Sequence, residues 1–193
     1  MKKFLLISAL ISLSCFSSFA QAEPPSNVVL AEAGTWIKAA PATKGFTILL
    51  PGKPAEASQA VTGRPELENF TLTLETSLAG YVVSYVPFPS EVTDPAAVKE
   101  ILDRGRDGGL ASSKGTLVSE KEIKLNDYPG REWLINLPGN LQVTARAYWV
   151  KRRLYQTVFV ALPSNSSPEK MKLTQEAKTR FLDSFTLTAD ATK

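Results

Sequence analysis

The chain has no histidine and a single cysteine, Cys15, among its 193 residues. It therefore cannot build a Ser-His-Asp or Cys-His nucleophilic site, an internal disulfide, or a zinc or copper site that depends on imidazole and thiolate. A histidine-based pH switch is also excluded. Carboxylate acid/base chemistry, a Ser-Lys pair or a calcium site with oxygen ligands would survive these absences. We find no catalytic motif, and predict a protein that is not an enzyme, with no catalytic residue, no cofactor and no metal.

Residues 1–22 have the pattern of a bacterial export signal. Lys2 and Lys3 precede a short apolar run, and the small-x-small sequence Ala20-Gln21-Ala22 marks a cleavage site before Glu23. Serines break the apolar run, which is also shorter than the roughly 20 apolar residues of a transmembrane helix. The sequence thus predicts a periplasmic or secreted protein with no transmembrane segment after cleavage.

Cys15 raises the alternative of a lipid anchor, because it lies inside the apolar run. A bacterial lipobox has a Leu-like residue three positions before its cysteine, and here that position is Ser12. We therefore do not predict lipidation at Cys15.

Cleavage would also change the charge of the chain. The signal holds two of the 22 basic residues and none of the 19 acidic ones, so 20 basic residues would remain against 19 acidic and the net charge would fall from +3 to +1. Nucleic-acid binding normally needs a concentrated basic surface. The one basic cluster, Lys151-Arg152-Arg153, lies between two strand-like runs. A solvated hairpin turn explains it, with contact to an anion or lipid headgroup as the alternative. No nucleic-acid partner is predicted.

The 171 residues that would remain of the 193 have the size of one domain with a substantial core. We expect a flexible leader over 23–35, a single α+β domain over 36–187 and a tail over 188–193. The apolar patterns and turn residues predict two helices, Pro95 to Gly108-Gly109 capped by Asp94, and Pro168 to Phe185 capped by Ser167. Strands are predicted at 45–50, 57–61, 70–74, 81–86, 116–125, 131–137, 141–150 and 154–160, and 57–61 is expected to pair next to 45–50.

The register of the hairpin around Pro138-Gly139-Asn140 can be predicted from the sequence. A three-residue loop places Leu137 opposite Leu141 and collects the apolar residues on one face. The same register places Glu132 opposite Arg146. A loop shorter by one residue would set two arginines across from each other. The predicted cross-strand pairs are therefore Leu137 with Leu141, Ile135 with Val143, Trp133 with Ala145, Asn136 with Gln142 and Glu132 with Arg146.

A tight turn at Lys151-Arg152 extends this sheet and makes both of its faces apolar. It pairs Trp149 with Leu154 and Tyr148 with Tyr155. A sheet that is apolar on both sides must be covered on both sides, and two helices on opposite faces would do so. One face would carry Trp149, Leu154, Val158 and Val160, and the other Arg146, Tyr148, Tyr155 and Phe159.

Four short segments carry a resemblance to a known family. They are Gly45-Phe46-Thr47-Ile48-Leu49-Leu50-Pro51, Tyr128-Pro129-Gly130-Arg131-Glu132, Arg153-Leu154-Tyr155-Gln156 and Phe181-Leu182-Asp183-Ser184-Phe185. Together they resemble the exported branch of the PsbP-like (Mog1/PsbP) superfamily over most of residues 36–187. The resemblance implies an antiparallel β-sheet with helices on both faces, an α/β/α sandwich.

The resemblance also implies a non-catalytic role, because members of this superfamily mainly bind or help to assemble other proteins, including photosystem components. The histidines through which some photosystem relatives meet metal ions have no counterpart in this chain. We expect an exported binding or assembly domain that acts on a protein partner.

Two alternatives remain, a carrier of a small amphipathic ligand and a carboxylate-dependent hydrolase. The carrier would use the side chains that gather on one sheet face, although a face that receives a helix needs aromatic residues in any case. The candidate ligand or partner residues are Arg146, Tyr148, Tyr155, Lys151, Arg152 and Arg153.

Overall fold

The computed structural model describes residues 35–163 and 167–192, so the predicted signal, Cys15 and most of the predicted leader lie outside the described residues. Within these ranges the chain forms two α-helices, α1 (Pro95–Ser113) and α2 (Pro168–Asp183), and neither is long and apolar enough to cross a membrane. The strands are β1 (Ile37–Ala39), β2 (Phe46–Leu50), β3 (Ala55–Val61), β4 (Arg64–Glu75), β5 (Ala79–Pro87), β6 (Thr116–Leu125), β7 (Tyr128–Leu137), β8 (Leu141–Val150), β9 (Arg153–Ala161) and β10 (Thr186–Leu187).

The strands form two antiparallel sheets. Seven of them make the main sheet, in the order β3-β4-β5-β9-β8-β7-β6, and β1-β2-β10 make a smaller one. The sequence predicted that 57–61 would pair beside 45–50, and this is wrong: β3 pairs with β4, while β2 pairs with β1 and β10. The segment between β2 and β3 contains Pro51 and Pro54, which lack the N–H that a continuing ladder needs.

The predicted register of the second half is confirmed. Leu137 lies opposite Leu141 and Glu132 opposite Arg146, so the β7–β8 loop is the three-residue one. At the next turn Tyr148 faces Tyr155 across the strands, again as predicted. The other predicted pairs are also present, namely Ile135 with Val143, Trp133 with Ala145, Asn136 with Gln142 and Trp149 with Leu154.

The main sheet is covered on both faces, and the α+β class is confirmed. We call the two sides the α1 face and the α2 face, after the helix that packs on each. The small sheet shares the α2 face with α2. The α2 face buries a cluster rich in aromatic rings: Phe46, Phe70, Tyr81, Tyr85, Tyr148, Tyr155, Phe159, Phe181 and Phe185. The α1 face buries mostly aliphatic side chains together with Phe88, Trp133 and Trp149.

The first helix ends later than the sequence predicted. It runs through Gly108 and Gly109 to Ser113, and Lys114 takes the left-handed conformation (φ 55°, ψ 32°) that terminates it. A glycine inside a helix costs roughly 1 kcal/mol relative to alanine, which weakens a helix without ending it. The last turn is held by the Ser113 hydroxyl, which donates to the Gly109 carbonyl at 2.7 Å, and by the Lys114 N–H, which donates to the Leu110 carbonyl.

Both predicted helix caps are present. The Asp94 carboxylate accepts bonds from the N–H groups of Ala96 and Ala97, and the Ser167 hydroxyl accepts one from Lys170. The second helix ends at Asp183, two residues before the predicted end, because the Ser184 hydroxyl caps it by donating to the Phe181 carbonyl. Along α2, Leu173 is half-buried, whereas Ala177, Phe181 and Leu182 are buried.

The chain stays packed beyond residue 187. Ala189–Thr192 form a short 3₁₀ helix, in which Ala191 is fully buried. Gly45 lies against it with φ +79°, and a Cβ at Gly45 would approach the Ala191 backbone to 2.8 Å. The last residues and the start of β2 therefore require glycine at position 45.

Candidate binding groove

Arg146, the first predicted site residue, joins the second helix to the sheet. Its guanidinium donates to Glu132 on β7 at 2.6 Å and to Asp183 at the end of α2 at 2.7 Å. Burial acts to lower the pKa of Arg146, but hydrogen bonds to the two carboxylates raise it above its ordinary value. Arg146 is thus neutralised by two acids and fixes the end of α2.

The two tyrosines of the predicted site lie in the core of the α2 face. The Tyr148 ring is stacked on Phe185 with 5.9 Å between centroids, and the fully buried Tyr155 donates its hydroxyl proton to the Lys44 carbonyl at 2.9 Å. Burial raises the pKa of both phenols. Both side chains pack against neighbouring core residues.

The basic cluster is a hairpin turn whose members point to different places. Lys151 has φ 56°, and the carbonyls of Lys151 and Arg152 accept bonds from the N–H groups of Val92 (3.3 Å) and Phe88 (2.7 Å). Arg153 donates to the Asp190 carbonyl at 2.5 Å. The structure therefore does not gather the six predicted residues into one site, and of the six only Lys151 lines the groove at the end of the α1 face.

A groove of about 600 Å³ opens at one end of the α1 face. It lies where the start of α1 meets the β6–β7 turn and the β8–β9 turn. Its lining residues are Glu91, Val92, Thr93, Pro95, Val98, Lys99, Leu102, Glu122, Lys124, Asp127, Tyr128, Pro129, Arg131, Trp149 and Lys151.

The floor of the groove is apolar and rigid. Trp149 is 2% exposed, its indole N–H donates to the Val92 carbonyl at 2.9 Å, and its ring meets Phe88 edge-on at 5.0 Å. Val98 and Leu102 complete the floor from α1, and both are buried. The floor is thus held in one conformation before any partner arrives.

A chain of ion pairs forms one wall and links α1 to the sheet. Arg131 pairs with Glu120 at 3.2 Å and with Glu122 at 3.0 Å, and Glu120 in turn pairs with Arg106 of α1 at 2.5 Å. The Arg131 side chain is only 10% exposed. Sequence reasoning did not single out Arg131 as a site residue. The alternation of side chains along β7 places Arg131 on the same face as Trp133, and this alternation was the signal in the sequence.

The rim carries charges of both signs. Glu91, Lys124 and Asp127 are exposed, and the structure gives Lys124 no ion-pair partner among the described residues. Glu122 is 83% exposed and Lys99 pairs with Asp103 at 2.5 Å. Within residues 35–163 and 167–192, no three acidic, histidine or cysteine side chains come together as a metal site.

Elsewhere, hydrogen bonds and ion pairs shift the pKa values of Glu66, Glu132 and Arg106. A hydrogen bond from Arg64 lowers the pKa of Glu66. The pKa of Glu132 is lowered, because hydrogen bonds and charge from Lys121 and Arg146 together outweigh the opposing effect of burial. A hydrogen bond to Asp107 raises the pKa of Arg106. These shifts all move away from neutrality, whereas an acid/base catalyst needs a pKa near the working pH.

Comparison with known proteins identifies the fold. No protein-family model matches the chain, and no curated protein matches its sequence. The solved structure of cyanobacterial PsbP (CyanoP) from Synechocystis sp. PCC 6803 aligns with a TM-score of 0.55 and 12% identity, covering 86% of this chain and 98% of that one. The fold is PsbP-like. This PsbP-like fold was implied by the sequence resemblance, which is thereby confirmed at the level of fold.

A second solved structure, a protein of unknown function from Pseudomonas aeruginosa, aligns with a TM-score of 0.37 and 12% identity over 75% of this chain and 94% of that one. A likeness at this level supports no argument. The PsbP-like fold by itself does not assign a function, because one fold can host many functions.

Proposed function

We propose that this protein is an exported, non-catalytic binding or assembly domain that acts on a protein partner in the periplasm, and that the partner contacts the groove of the α1 face. The observation that carries the proposal is the groove itself, which combines a rigid floor of Trp149, Val98 and Leu102 with an exposed rim of mixed charge. An apolar centre with a polar rim is the anatomy of a protein interface.

The position of the groove supports the same reading. Its rim is built from the segment before α1 and from two turns, and binding residues concentrate on loops that a rigid scaffold positions. Tyr128 and Pro129 add apolar surface beside Trp149. The buried Arg131, already neutralised by Glu120 and Glu122, adds a hydrogen-bonding wall without an uncompensated charge.

The two alternatives have less support. The carrier hypothesis relied on Arg146, Tyr148 and Tyr155, and these residues already contact other parts of the protein. The hydrolase hypothesis needs two facing carboxylates in a cleft, one of them with a raised pKa. The carboxylates of the groove, Glu91, Glu122 and Asp127, are instead exposed on its rim, and Glu122 is paired with Arg131.

Export and partner binding can be tested together. The full chain is expressed with a C-terminal tag, and the mass of the envelope form should correspond to cleavage before Glu23. Protein captured with it is identified, and its affinity for the purified domain is then measured for the wild type, for the double variant Lys124→Glu/Thr93→Trp, and for a control, Lys178→Glu, on the α2 face.

The double variant should bind about tenfold more weakly, which corresponds to about 1.4 kcal/mol, because it reverses a rim charge and fills the groove. The control should bind as the wild type does. Equal binding by the double variant would contradict the groove as the site. A small molecule in native mass spectra, with no protein captured, would favour the carrier.

A further inference from the structure

The two edges of the main sheet differ in how they are protected. Edge strands expose unpaired backbone groups, and proteins blunt them with charges or with bulges. On β6, the register shifts around Val118, and four residues carry charged side chains: Glu120, Lys121, Glu122 and Lys124. This edge has both kinds of protection.

The other edge, β3, has little protection over most of its length. Six of its seven residues are exposed, and Glu56 is the only one of the seven that is charged. The others are Ala55, Ala57, Ser58, Gln59, Ala60 and Val61. It pairs with β4 on one side, and no described strand pairs with its other side. A register shift occurs only at its last step, between Ala60 and Val61. An edge with small side chains and a single charged residue can accept an additional strand.

Two glutamates give this edge a negative charge. Glu56 lies opposite Leu72 and Glu68 lies opposite Ala60, and directly opposite residues share a sheet face. Both glutamates are therefore on the α2 face. Neither forms an ion pair within the described chain, whereas the neighbouring Glu66 is paired with Arg64.

Lys44, a cation on the same face, contacts aromatic rings. The ammonium group of Lys44 lies over the rings of Phe70 and Tyr85, toward the middle of the sheet, at 4.9 and 5.5 Å from their centroids. Pairing of β3 with a second copy of itself would bring two such acidic ribbons together, and side chains this small would bury little apolar area. The charge therefore favours a basic partner over a second copy.

We propose that β3 accepts an extended segment of a protein partner as an added strand, and that this segment carries two basic side chains four residues apart. In a strand, residues i and i+4 point to the same face, as Glu56 and Ala60 do. One basic side chain would lie beside Glu56. The other would lie beside Ala60, whose small methyl group lets a long side chain reach Glu68 on the next strand. This surface is separate from the groove and does not depend on the groove's role.

The probe is a fluorescent nine-residue peptide of alternating threonine and valine with lysine at positions 3 and 7, titrated into the purified domain. Matched peptides carry glutamate at positions 3 and 7, or N-methyl groups on one alternate set of backbone amides or on the other. The lysine peptide should bind, and the glutamate peptide should bind at least about tenfold more weakly. One N-methyl set should abolish binding and the other should not, because only alternate amides face the sheet.

Protein variants test the residues. Glu56→Lys/Glu68→Lys should weaken binding of the lysine peptide about tenfold and reverse the preference between the two peptides. Glu75→Lys, an exposed position on the other face of β4, should leave binding within about twofold. The groove variant Lys124→Glu/Thr93→Trp should leave it unchanged, so that failure of this proposal is distinct from failure of the groove.

Three results would overturn the added strand: no binding of the lysine peptide, equal binding by Glu56→Lys/Glu68→Lys, or indifference to both N-methyl sets. The last would mean attraction by charge alone.

Discussion

The two faces of the main sheet are built from different residues. The α2 face is filled by aromatic rings, with Phe181, Tyr81 and Phe159 meeting edge-on at 5.2 and 5.3 Å and Phe46 stacked on Phe185 at 5.4 Å. The α1 face is mainly aliphatic, and at one end a groove opens above the buried Trp149. The α2 face has smaller clefts beside α2, of about 280 and 240 Å³, whereas the α1 face has the groove of about 600 Å³.

This difference shows how residues that look functional in sequence can be structural. Aromatic rings beside an arginine suggested a ligand site, yet Tyr148, Tyr155 and Arg146 hold the second helix and the small sheet in place. The groove instead depends on residues that are ordinary in sequence, and only their convergence makes them a candidate site. Substitutions on the two faces should therefore differ in their effect on stability.

Phe181→Ala should break the α2 face. Phe181 is fully buried, with 0% of its surface exposed, and it contacts the Tyr81 ring. Loss of a buried phenylalanine should reduce the free energy of unfolding by about 3–5 kcal/mol, measured by urea denaturation. Met171→Ala on the exposed side of the same helix, where the side chain is 59% exposed, should change it by less than about 0.5 kcal/mol. Similar losses in both variants would contradict a core centred on the α2 face.

Glu132→Gln should remove one of the charge pairs that hold α2. Glu132 bonds Arg146 and Lys121, and because these partners lower its pKa, its charge stabilises the fold at neutral pH. The variant should lose about 1–2 kcal/mol at pH 7. In the wild type, the charge of Glu132 stabilises the fold fully at pH values above its unfolded-state pKa, near 4.5. This stabilisation is lost as the pH falls through the lower pKa that Glu132 has in the folded state.

The stability difference between wild type and Glu132→Gln should therefore shrink as the pH falls from 5 to 3 in urea denaturation. Glu75→Gln, at an exposed position without an ion pair in the described chain, should show no such pH-dependent difference. A difference that stays constant down to pH 3 would show that the carboxylate charge of Glu132 is not what stabilises α2.

Gly109→Ala should stabilise the α1 face, the smallest of these effects. A Cβ at Gly109 would meet no atom within 4 Å, and alanine favours a helix interior. Thermal denaturation should show a gain of about 0.5–1 kcal/mol. Gly115→Ala is the matched opposite, because its Cβ would approach Ile135 to 2.8 Å and should destabilise the fold. A loss in Gly109→Ala would contradict the open space beside α1.

Local pattern was enough for much of the fold. The β7–β8 register followed from opposite charges at Glu132 and Arg146 and from the pleat, and both helix starts followed from the caps Asp94 and Ser167. The end of α1 did not follow, because Lys114 adopts a left-handed conformation that a sequence pattern assigns to glycine. The small sheet did not follow either, because Thr186 and Thr47 pair across more than a hundred residues.

The candidate site was less accessible to sequence reasoning than the fold. Of the predicted site residues only Lys151 lines the groove. The others were chosen because aromatic and basic side chains share a face, and periodicity reports the face without reporting what covers it. Trp149 and Arg131 become a floor and a wall only when the start of α1 and two turns meet at one end of the sheet.

Site-specific photocrosslinking in the periplasm would test the contrast between the two faces most directly. A photoreactive amino acid replaces Lys124 on the groove rim in one strain and Lys178 on the α2 face in another, and adducts are identified by mass spectrometry. We predict a defined protein adduct from position 124 that is absent from position 178 and is lost when Thr93→Trp fills the groove. An adduct from position 178 alone, or one at position 124 that persists in Thr93→Trp, would contradict the account.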